Sequence, residues 1–91
     1  MEFEFDPAKD EANLAKHGLA LGFAPAVFAA DDHVILTSFR TSDGEERCKA
    51  IGLVDAKLYT VVHTWRGEVA RFFSVRRSNS GEQAYYYRHS G

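Results

Sequence analysis

Leu58–Arg77, LYTVVHTWRGEVARFFSVRR, is the stretch on which the fold turns. Leu58–Trp65 is rich in β-branched and aromatic residues, as is Val69–Arg77, and only Arg66-Gly67-Glu68 separates them. A gap that short cannot hold a crossover helix, so the two runs form an antiparallel hairpin. Working outward, Glu46–Leu53 (ERCKAIGL) and His33–Arg40 (HVILTSFR) read as two further strands. They are joined by a turn cluster at 41–45 and followed by a short connection at 54–57. Along the last strand, strict alternation sends Phe73 and Val75 one way and Phe72, Ser74 and Arg76 the other. If helices cover the Phe73/Val75 side, Ser74 and Arg76 lie on an open face. Arg71 and Arg77 then fall on the covered side, near strand ends where long side chains reach water.

The flanks are helical. In Phe5–Gly18, FDPAKDEANLAKHG, Asp6 caps a first turn, Pro7 suits the first helical position, and Gly18 supplies a left-handed stop. Lys16 and His17 stand where the helix dipole favours cations. A second, shorter helix fits residues 22–30, with Pro25 confined to its first turn. Ser78-Asn79-Ser80 caps a last helix over Gly81–Arg88, with Glu82 early in it, and Glu2–Phe5 alternates like a short edge strand. The order β-α-α-β-β-β-β-α predicts an α+β fold, one domain over residues 1–91, with helices packed on one sheet face.

Composition narrows the function classes. Hydrophobic residues make up 45% of the 91 and aromatics 13%, enough for a packed core. No apolar run approaches the roughly 20 residues that span a bilayer. The acidic start MEFEFDPAKD is unlike a secretory signal, and the single Cys48 fits a reducing compartment, so a cytoplasmic location is expected. Without a Cys pair, the four scattered histidines give no zinc pattern and no metal site is expected. Residues 1–56 carry five Lys/Arg against eleven Asp/Glu, whereas residues 57–91 carry six against two. A polyanion would therefore prefer the C-terminal half, although the excess is too small for tight nonspecific binding.

Three segments, FDPAKDEANLAKHG (5–18), GEERCKAIG (44–52) and VVHTWRGEVARFFSVRR (61–77), resemble successive signatures of the BrnT family. That family comprises small bacterial toxins of type II toxin–antitoxin systems. The resemblance implies a RelE-like fold, a twisted antiparallel sheet with two N-terminal helices and one C-terminal helix. It implies cleavage of an RNA substrate without metal or cofactor, and arrest of translation. It also implies a BrnA-like ribbon-helix-helix antitoxin, through which alone the toxin would meet operator DNA. Two alternatives stay open: a noncatalytic module that binds protein or DNA, and a degenerate toxin that retains only antitoxin binding.

RNA cleavage through the 2′-hydroxyl needs a base, a cation for the charged phosphorane and an acid for the leaving oxygen. Guanidinium suits the middle task, so Arg76 on the open face is the first candidate, with Arg66, Arg71 and Arg77 evenly balanced between phosphate binding and ion pairing. Arg47 is a further phosphate candidate, with an ion pair to Glu45 or Glu46 as its alternative. His63 and His17 are candidate bases or acids. His63 reads more readily as a half-buried strand residue, and His17 more readily as a cation at the negative end of the helix dipole. Tyr86 could stack a base or donate a phenolic proton, or belong to the core. Lys9, Asn13 and Lys16 share one helix face, either solvated or one wall of the site, with Lys16 a phosphate candidate.

Overall fold

The computed structural model describes residues 1–40 and 44–90, with the side chains of 38–40 excepted. The hairpin forms as expected. β4 (Lys57–Arg66) and β5 (Val69–Arg77) run antiparallel from Arg66↔Val69 to Tyr59↔Arg77. β3 (Glu46–Val54) pairs with β4, and β2 (Val34–Arg40) with β3. Residues 41–43 of the expected 41–45 turn lie outside the described residues. β1 (Glu2–Glu4) takes the edge beyond β5 but runs parallel to it, Glu2↔Val69 to Glu4↔Arg71. The sheet, ordered β1-β5-β4-β3-β2, is thus mixed and not wholly antiparallel. A parallel pair needs a long connection, and the helices and three strands between β1 and β5 provide one.

α1 (Pro7–His17) has both of its expected caps. The Asp6 carboxylate accepts from the Ala8 amide at 2.8 Å, and Gly18, at φ 71°, donates back to the Leu14 carbonyl at 2.9 Å. A 3₁₀ turn (Leu21–Phe23) leads into α2 (Ala24–Ala29), whose first turn holds Pro25. α3 (Ser80–His89) begins with a capping box between Asn79 and Glu82.

The helices do not share one face. Leu21, Ala24 and Val27 pack with Ala50, Val61, Ala70, Phe72 and Val75, whereas Tyr86 of α3 packs with Ile51 and Leu58. Ala50 and Ile51 are consecutive on a strand and both fully buried, so the two clusters lie on opposite sides of the sheet. The 3₁₀ turn and α2 therefore cover one face, α3 covers part of the other, and α1 grips the backbone edge of β5 at Val75, where a single covered face was expected. α2 seats closely because Gly52 lies beneath it: a Cβ there would stand 2.7 Å from the Val27 carbonyl oxygen.

One irregularity decides what the second face displays. Val62 pairs with Ser74 but His63 with Phe72, so Phe73 is an extra residue on β5, a β-bulge. Phe72 and Val75 consequently both face the core, three residues apart, while Phe73 leaves it. Strict alternation put Phe72 on the open face and Arg71 on the covered one; the bulge reverses both. Ser74 and Arg76 lie on the side away from Val75 as expected, but at Arg76 that side is not open: Arg76 stands opposite Thr60 and binds Glu82 of α3.

Candidate functional site

The part of the second face that α3 leaves uncovered is where the candidate chemistry collects. α1 stands over the outer edge of β5 beyond the end of β1. Between them lies a groove of about 220 Å³ lined by Lys9, Ala12, Asn13, Lys16, His17, Phe73 and Ser74. Lys9, Asn13 and Lys16 face it together because residues three and four apart share a helix face. The Arg47 guanidinium lies 3.9 Å from the centre of the Phe73 ring, and the Lys9 ammonium 5.5 Å from it. A bulge is what turns this aromatic ring out of the core and under two cations.

His17 is half-buried at the C-terminal end of α1. Burial lowers its pKa from 6.5, and the nearby charges of Lys16 and Arg76 lower it further. The imidazole is therefore held neutral near neutral pH, the state in which a nitrogen lone pair accepts a proton. Arg76 thus lies within electrostatic reach of His17, contributed by β5 while the histidine comes from α1.

Arg76 itself is anchored. Its two terminal nitrogens donate to the two oxygens of Glu82 at 2.7 and 2.8 Å. Glu82 is only 6% exposed, and it also accepts from Lys49 Nζ at 3.0 Å, Thr60 Oγ1 at 3.0 Å and the Asn79 amide at 2.9 Å. Burial alone would raise this carboxyl. The Arg76 fork, with the Asn79, Lys49 and Thr60 bonds, overcomes that and holds it at about 2. Arg76 has five N–H donors, of which the fork uses two and a longer 3.4 Å contact to the Arg77 carbonyl a third, and a quarter of its side chain is exposed.

Lys16 and His17 thus line the groove, Arg47 lies over its Phe73 ring, and Arg76, two residues beyond Ser74 on the same strand, is near enough for its charge to act on His17. The other predicted residues lie elsewhere. Arg71 shares the face but pairs with Glu4 at the β1 edge at 2.5 Å. Arg66 sits at the hairpin end, 3.5 Å from Glu45, and Arg77 extends over the Tyr59 ring at 5.6 Å. His63 is fully buried on the opposite face, its ring edge-on to Phe28 at 4.9 Å, and burial lowers its pKa. Tyr86 is 6% exposed within the α3 core cluster. Sequence reasoning missed Phe73, Lys49 and the joining role of Glu82. The Asn-x-x-Glu spacing at 79–82 was a signal for a capped helix, but not for what that carboxylate binds.

Among the described residues, no helix is long and apolar enough to cross a membrane. The family model for the ribonuclease toxin BrnT of type II toxin–antitoxin systems matches residues 5–82. That span includes both walls of the groove and ends at Glu82. No curated protein matches the chain as a relative.

Proposed function

The chain belongs to the BrnT family of ribonuclease toxins of type II toxin–antitoxin systems, and on that premise we propose that the groove between α1 and β5 cuts RNA without a metal. In this reading His17 takes the proton from a ribose 2′-hydroxyl, and the 2′ oxygen attacks the adjacent phosphorus. The bond to the 5′ oxygen breaks, giving a 2′,3′-cyclic phosphate and a free 5′-hydroxyl once water at the open groove protonates the leaving oxygen. Arg76 steadies the phosphorane with the N–H groups that Glu82 leaves unused, and Arg47, Lys9 and Lys16 hold neighbouring phosphates. Arg66, Arg71 and Arg77 serve ion pairs and surface packing, and His63 and Tyr86 serve the core. One domain in the cytoplasm cleaves RNA, arrests translation and is silenced by a BrnA-like ribbon-helix-helix antitoxin, which alone links it to operator DNA.

The observation that carries this reading is the groove that sets His17 of α1 beside Ser74 of β5, two residues from the forked Arg76. One observation favours a noncatalytic module instead: Arg76 is already committed to a buried carboxylate. Cleavage of purified RNA in EDTA, comparing wild type with folded His17→Ala and Arg76→Lys variants, decides between them. Loss of about 10²–10³-fold in either variant supports the enzyme. A folded wild type that cuts no RNA, in the presence or absence of ribosomes, supports the module. In an active enzyme the acid limb of the rate profile should fall below pH 6.5, because a base with a lowered pKa stays deprotonated to lower pH.

A further inference from the structure

α1 is an unusual wall for a site. It is 11 residues long, too short to be stable alone, and Asn13 is the one residue of it that is buried. Asn13 is 5% exposed, and its amide is fully used. Nδ2 donates to the Leu19 carbonyl at 2.8 Å and to the Val75 carbonyl at 2.9 Å, while Oδ1 accepts from the Val75 amide at 3.1 Å. β1 covers β5 only from Val69 to Arg71. At Val75 the side-chain amide does what a further strand would do, taking both the N–H and the C=O of one residue.

We propose that Asn13 is the positioning residue of the groove, the rivet that fixes the distance between the histidine on α1 and the arginine on β5. Asn13 has Lys9 one turn before it and Lys16 and His17 one turn after it. Val75 stands between Ser74 and Arg76. One amide pair thus joins the centres of the two groups, and a shift there moves every groove residue of one element against those of the other. Only a group with donor and acceptor at this reach can do so. A carboxylate would face two carbonyl oxygens with nothing to donate, and a methyl would leave three buried polar groups unpaired.

The inference rests on the groove being the RNA site, so its test has a readout that needs no cleavage. Asn13→Asp and Asn13→Gln are compared with wild type by thermal unfolding, by RNA cleavage kinetics and by NMR titration of His17. Asn13→Gln retains every donor and acceptor and is one methylene longer, so it serves if Asn13→Asp unfolds. The expected result is a 10- to 100-fold fall in kcat with KM changed less than about threefold, since a displacement near 1 Å costs about that much. The His17 titration should move up toward its ordinary position as Arg76 draws away. A folded variant with unaltered His17 titration overturns the inference, whether or not any RNA is cut. A moved titration in a protein that cuts no RNA upholds the positioning role and sinks the catalytic reading instead.

Discussion

The sheet face under α2 and the face that carries α3 are made from alternate residues of the same strands, yet they treat polar groups in opposite ways. Under α2 a buried titratable group is His63, whose Nδ1 makes a long 3.3 Å contact to the Val61 carbonyl and whose Nε2 has no hydrogen-bond partner among the described residues. It is tolerated because it stays uncharged among Phe28, Trp65 and Phe72. On the other face Glu82 is buried as deeply as a core side chain but as an anion, and it is compensated from four directions. The lesson is that burial by itself does not say what a polar residue is for. The number of partners aimed at it does, and where those partners converge beside a groove they also fix its cations.

Phe72 and Phe73 offer the widest contrast, being the same residue type side by side and separated only by the bulge. Phe72→Ala should cost about 3–5 kcal/mol, because it empties a fully buried site beside Phe3 and Phe28. Phe73→Ala should cost about 1 kcal/mol or less and instead weaken RNA binding as Arg47 loses its platform. Urea unfolding of both variants measures it, and equal losses would mean the bulge does not divide the faces. Glu82→Gln comes next, at about 3 kcal/mol, for breaking a buried, multiply bonded pair. Since Glu82 titrates at about 2 when folded against an ordinary 4.5, its contribution is present above pH 4.5 and is lost as pH falls from there toward 2. Unfolding curves across that range should be steeper in pH for wild type than for the variant.

The smallest effect belongs to His63. Its pKa is lowered by folding, so its contribution is complete above pH 6.5 and declines as the pH drops below that value, where the unfolded chain takes up a proton that the folded one refuses. His63→Leu should change stability at pH 8 by less than about 1 kcal/mol and flatten the decline below pH 6.5. A variant that keeps the full decline would show that another group causes it.

What could be read beforehand from residues alone was what is local. Asp6, Pro7 and Gly18 bound α1 because capping is chemistry between near neighbours, and three short connections set four strands in antiparallel order. The parallel seat of β1 and the far side taken by α3 depend on contacts between distant parts of the chain, which no local pattern encodes. The bulge was hidden for a different reason: in Phe72-Phe73 either ring satisfies an apolar position, so an alternating count passes through the extra residue unnoticed. Arg76 was placed correctly because it lies beyond the slip, on the side whose parity was counted from Val75. Glu82 was legible as a capping residue, but its partners come from three strands whose register had to be known first.

The rung between Asn13 and Val75 joins residues 62 positions apart, and it has a consequence for the order in which the molecule is made. α1 is made before the strand it must grip, which is the last of the sheet. A growing chain therefore carries half of the groove with nothing to close against until β5 has been made. Fragments from interrupted translation, which lack β5, would have the histidine and no arginine opposite it. A cell making this protein would meet the assembled groove only once β5 has emerged, at the moment when a waiting partner has a whole surface to bind.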